Sequence, residues 1–122
     1  DEQTFARADS WMDWSLTSLY GDVILTCFLQ LIRTPARERS LGQVEAAAMR
    51  AGEKLKILDR QLTGRSYIVG ESPTIADVAI GTLMYRYFNL DISRPQLPNV
   101  EAWYGRLKER PGFARHVMAP LT

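Results

Sequence analysis

The stretch SPTIADVAI, Ser72 to Ile80, decides the reading of the whole chain. A turn-prone Ser72-Pro73 is followed by Thr74, two apolar residues, Asp77 and an unbroken apolar run. Thr74 and Asp77 are three residues apart, the spacing of a capping box. The hydroxyl of the N-cap residue accepts from the third helical amide, and the acid at that third position reaches back to the N-cap amide. Glu or Gln usually fills the second role, so the shorter Asp makes a variant. Two of the four orphan donors of a first turn are satisfied, and the carboxylate sits at the positive end of the helix. Pro73 and Val78 stand where an apolar staple would close. The helix begun at Thr74 and running toward Phe88 is apolar almost all round (Ile75, Ala76, Val78, Ala79, Ile80, Leu83, Met84, Tyr87), which suits the centre of a bundle. Buried amides left uncapped would cost about 1–3 kcal/mol each. Asp77 is therefore read as a fold-making acid; a catalytic role would need a partner acid, base or ligand, and none lies near it in sequence.

Working outward, residues 1–33 predict one long helix. Met12, Leu16, Leu19, Val23, Cys27 and Leu31 recur at steps of three and four, with Tyr20, Ile24 and Phe28 as a second stripe. Gly21 weakens it slightly and suits close approach of another backbone; Thr34-Pro35 ends it. A second helix spans residues 38–62 on the stripe Leu41, Val44, Ala47, Ala51, Leu55, Leu58 and Leu62, with Gly64 as its stop. A short link makes the two antiparallel. Tyr67 to Gly70 has β propensity but no partner strand, and reads as an extended, partly buried connector. Pro95 and Pro98 punctuate a loop, and Asn99 caps a fourth helix with Val100, Trp103 and Leu107 inside. Pro111 ends that helix and opens a last short one carrying Phe113, Ala114 and Val117. The expected fold is all-α, a bundle of four to five helices forming one domain over residues 1–122.

Bulk properties narrow the function classes. With 122 residues at 46% hydrophobic content, the chain can build one ordinary core. Fifteen basic against fourteen acidic residues leave a net charge of +1, which gives no global drive toward nucleic acid or an anionic membrane. No apolar stretch reaches bilayer-spanning length. One cysteine excludes an internal disulfide and fits a reducing, cytoplasmic setting. His116 stands without a Cys or Asp at ligand spacing, so no metal site is expected.

Three stretches carry a resemblance. ARADSWMDWSLTSLY, YIVGESPTIADVAI and LPNVEAWYGRLKERPGF are similar, in order and separation, to the C-terminal helical domain of glutathione transferases, with theta- or beta-like bacterial members nearest in character. The resemblance covers essentially the whole chain. It implies a full-length protein in which a thioredoxin-like N-terminal domain binds glutathione and supplies the thiolate-stabilising residue. The helical domain then gives one wall of the pocket for a small electrophilic substrate, and part of a homodimer contact. No catalytic residue is expected in this chain, and the chain alone is not expected to be catalytic. The resemblance places Met12 and Tyr20 as pocket-lining candidates. Thr17 falls near the position where several classes place an acid reaching glutathione across the subunit interface; being Thr, it puts that contact in doubt, and Asp13, one turn earlier, is the candidate substitute, with a solvated or capping-side acid as its favoured reading. Trp11 and Trp14 are expected on different faces, one of them at an interface. Cys27, in the apolar stripe, is expected to be buried and inert. The run RTPARERS (residues 33–40) reads as a solvated helix start and loop, with an anion-facing linker as the rival. The alternative function is a non-catalytic protein–protein interaction module, as in translation factors and aminoacyl-tRNA synthetases.

Overall fold

In the computed structural model, which describes residues 1–117, the first 32 residues form a helical rod that changes register midway. Helix α1 (Glu2–Trp14) is opened by Asp1, whose carboxylate accepts from the Thr4 N–H at 2.8 Å. Two π-helical stretches follow, Ser15–Leu19 and Gly21–Phe28, and then α2 (Leu29–Ile32). The expected straight helix is thus corrected: its arms Glu2–Leu19 and Gly21–Ile32 meet at 41°. The Tyr20 N–H donates to the Ser15 carbonyl, five residues back, and such widened turns kink helices. Hydroxyls that bond the preceding turn favour the same bend, as Ser15 Oγ does to the Met12 carbonyl at 2.7 Å and Thr17 Oγ1 to that of Asp13 at 2.9 Å. Gly21 does not admit a neighbouring backbone; a Cβ there would meet nothing within 4 Å. The changed register also overturns part of the expected stripe. Ser15, Leu19, Val23 and Cys27 turn inward, while Leu16 is 61% exposed.

After a 3-10 turn, Ala36–Glu38, helix α3 (Leu41–Gln61) begins three residues later than expected. Leu41 lies at its first position and is exposed, whereas Val44, Ala47, Ala51, Leu55 and Leu58 are buried as their spacing predicts. Pairings along the two rods run in opposite directions: Cys27 Sγ with the Val44 carbonyl at 3.6 Å, Asp22 with Arg50 at 3.0 Å, and Lys54 Nζ with the Ser18 carbonyl at 3.1 Å. They are antiparallel. Gly64, at φ 70°, provides the left-handed turn after the Leu62 C-cap. The connector makes one bridge, Tyr67 with Gly70, and the described residues contain no strand.

Helix α4 (Ile75–Asn89) is the centre, burying Ile80, Leu83, Met84 and Tyr87. Its first turn departs from the all-round apolar expectation, since Ile75 and Val78 are about half exposed on its outer side. Gly81 lets α4 touch its neighbours: a Cβ there would stand 2.8 Å from Leu107 Cδ1 and from Phe113 Cε2. Helix α5 (Pro98–Lys108) corrects the Asn99 cap. Leu97 is the N-cap and Pro98 occupies the first helical position, where its missing N–H is harmless. The cap comes from α3 instead: Asp59 Oδ1 accepts from the N–H of Asn99 and of Val100, each at 2.9 Å. Helix α6 (Pro111–Val117) closes the bundle with Phe113. Counting the bent rod once, the described residues form an all-α bundle of five rods, in line with the four to five expected.

Candidate functional site

Asp77 is fully buried, and both its oxygens are occupied. Oδ2 accepts from the Thr74 N–H at 2.7 Å and from the Thr74 hydroxyl at 3.3 Å. That hydroxyl accepts from the Ala76 N–H at 3.3 Å, and the reciprocal capping box is formed. Oδ1 accepts from the Ile68 N–H at 3.0 Å and from Trp103 Nε1–H at 2.8 Å. One carboxylate therefore ties the connector, α4 and α5 together. No lone pair of this kind faces solvent, and the arrangement is one of support rather than chemistry. The capping half was readable from Thr74-x-x-Asp77. The Ile68 and Trp103 halves were not, although a buried indole N–H needs some acceptor.

The outer side of the bent rod is the surface best suited to binding. Phe5, Met12, Leu16, Tyr20, Leu25 and Leu29 follow one another at whole helical turns, seven residues apart within α1 and then four or five into and through the π-helical stretches. Phe5 is 69% exposed, Leu25 55% and Tyr20 38%. Met12 is half-buried and packs on the core. The four residues singled out in the sequence separate here. Met12 and Tyr20 belong to this apolar line, whereas exposed Asp13 and Thr17 sit one turn apart on its flank, joined by the Thr17 hydroxyl to the Asp13 carbonyl. The sequence pattern assigns Leu16 to the inner stripe, and Leu25 and Leu29 to none, because a 3.6-residue period does not anticipate the widened turns; it does not single out Phe5. Trp11 and Trp14 do not take opposite faces: both are half-buried and meet edge to face, centroids 5.2 Å apart, as residues three apart on a helix do.

The remaining candidates are structural or peripheral. Cys27 is buried, and desolvation, helped by nearby Asp22, pushes its thiol up from 9.0 to about 11; a thiol so held is a poor nucleophile at neutral pH. Arg39 Nε ties the 33–40 run to itself through the Thr34 carbonyl at 2.8 Å, while Arg33 and Arg86 lie over the Phe28 ring at 5.5 and 5.7 Å. Exposed His116 lines an apolar groove of about 780 Å³ with Ile75, Val78, Phe113 and Val117. Among the described residues no group of His, Cys, Asp and Glu is arranged to hold a metal ion. No single described helix is long and apolar enough to cross a membrane; the bent pair passes by length and composition together, but packs one side into the core.

The class of domain so defined is a helical bundle organised around one capped central helix, with a long lateral helix exposing an apolar line. Comparison with known proteins gives that class its family: the chain belongs to the glutathione S-transferase C-terminal domain family, matching it over residues 18–111. It is 30% identical over 117 residues to glutathione S-transferase GstB of Escherichia coli, covering 96% of this chain and 56% of that protein. The theta class glutathione S-transferase of Xanthomonas axonopodis pv. citri with glutathione bound is 37% identical, superposes with a TM-score of 0.91, and is covered over 58% of its length by the whole of this chain. A weaker similarity, 25% over 114 residues, joins 91% of the chain to 27% of elongation factor 1-gamma 1 of Oryza sativa subsp. japonica. The chain thus spans little more than half the length of the transferases it matches.

Proposed function

We propose that this chain is the helical half of a glutathione transferase, in which a thioredoxin-like N-terminal domain binds and activates glutathione. The exposed line Phe5, Met12, Leu16, Tyr20 is then the wall against which an apolar electrophile lies and against which the other domain and a second subunit pack. That line is the observation that carries the reading, because a run of large apolar side chains in contact with water is costly unless something covers it. Its chemical contribution is desolvation and orientation of the acceptor; the thiolate and the groups that stabilise it belong to the other domain. Met12 suits acceptors of varied shape, since its side chain fills irregular space.

The test is calorimetric titration of glutathione into this chain and into the same chain joined to its N-terminal domain. Binding by the joined protein alone is the expected result. Binding by the isolated chain would move the thiol site into the helical domain and overturn the reading. The similarity to elongation factor 1-gamma favours a second reading, a non-catalytic assembly module, and absence of glutathione binding by the joined protein would select it.

A further inference from the structure

On the side of α1 turned away from the apolar line, Arg7, Trp11, Gln61, Arg65 and Val69 enclose a pocket of about 310 Å³, at the small end of ligand-binding cavities. Its lining holds two guanidinium groups and no carboxylate. Among the described residues neither Arg7 nor Arg65 makes a side-chain hydrogen bond or ion pair, and the Trp11 indole N–H likewise donates to none. Gln61 is committed, its Nε2 donating to the Ile68 carbonyl at 2.8 Å. A third guanidinium stands behind the wall: Arg106 donates through Nε to the Ser66 carbonyl at 2.9 Å and through Nη2 to the Arg65 carbonyl at 3.3 Å. It fixes the backbone that carries Arg65. In a chain of net charge +1, such one-signed lining is a local concentration of charge.

We propose that this pocket binds a phosphate monoester. Two guanidinium forks match a dianionic tetrahedral group, each able to donate a pair of parallel hydrogen bonds. The indole N–H supplies a further donor, and the flank of Trp11 offers an apolar surface for the organic part. A monoanionic carboxylate offers two planar oxygens and one charge against two guanidinium charges, and so matches the pair less well. The proposal uses none of the apolar line and does not depend on the transferase reading.

The experiment is an NMR titration of the 15N-labelled chain with phenyl phosphate at about 0.15 M salt, where non-specific surface attraction is screened. The Trp11 indole resonance is assigned by its loss in Trp11→Phe, and benzoate and phenol serve as comparison probes. Phenyl phosphate should shift the Trp11 signal saturably, with benzoate at least about tenfold weaker and phenol inert. Arg7→Gln and Arg65→Gln should each weaken binding by about tenfold or more, the scale of a lost charge-assisted contact, with thermal midpoints unchanged because both side chains are exposed. A shift that never saturates, benzoate binding as well as phenyl phosphate, or variants that bind as the parent does would each overturn the proposal.

Discussion

Asp77 takes four donors on two oxygens while fully buried, so its replacement leaves several groups unpaired at once. With roughly 1–3 kcal/mol for each buried donor abandoned, Asp77→Ala should lose about 3 kcal/mol or more in urea unfolding. Asp77→Asn should lose less, since one oxygen still serves Ile68 and Trp103 while the amide cannot accept from the Thr74 N–H. Equal urea midpoints for Asp77→Ala and the parent chain would refute this account. Cys27 gives a second test, in pH. Its folded thiol holds the proton more tightly than an unfolded one, so its contribution to stability is complete below about pH 9 and is lost as pH rises toward about 11. Tyr87, pushed from 10.0 to about 12 mainly by burial, adds a later loss over that range. The urea midpoint should therefore hold level to about pH 9 and then fall, and Cys27→Ala should remove the earlier part of the decline. A decline of unchanged shape in that variant would count against burial as its cause.

At the level of whole helices, two helical glycines, Gly21 and Gly81, behave oppositely in space. Gly81→Ala drives a methyl to 2.8 Å from Leu107 and Phe113, and overpacking of this kind costs about 1–3 kcal/mol. Gly21→Ala meets open space and removes backbone freedom from the unfolded chain, so it should stabilise by about 0.5–1 kcal/mol. Thermal midpoints moving in opposite directions would establish the contrast, and a stabilised Gly81→Ala would show that α4, α5 and α6 do not pack at that point. The same contrast marks how far sequence reading reaches. Helix number, the α4 cap, the Gly64 stop and the buried stripe of α3 follow from local spacing and were legible. The bend at Tyr20, the cap given to α5 by Asp59 and the exposure of Leu16 were not. Each depends on a helical register or a neighbouring helix that no window of sequence contains. Met12 and Tyr20 could be placed on the exposed line only once that register was known.

Across the whole molecule, the interior and the apolar line should answer differently to mutation, and that separation tests whether the line exists for function. Leu16 touches water over most of its surface, so Leu16→Ser should change the stability of this chain by no more than about 0.5 kcal/mol. In the two-domain protein proposed above, the same change should remove apolar contact with an electrophile held against the rod. On the proposed reading, kcat/KM for an apolar acceptor should fall by about tenfold, the scale of a lost apolar contact in a substrate pocket, while the KM for glutathione, whose site that reading assigns to the other domain, should move little. Arg60→Ser, an exposed change near the end of α3 whose side chain makes no hydrogen bond or ion pair among the described residues, should alter neither. If Leu16→Ser lowered stability as much as a core substitution, the line would belong to the fold. If it left kcat/KM untouched while weakening subunit association, the line would serve assembly and the electrophile would have to be sought elsewhere, with the groove beside Ile75 and Val78 the next surface to probe.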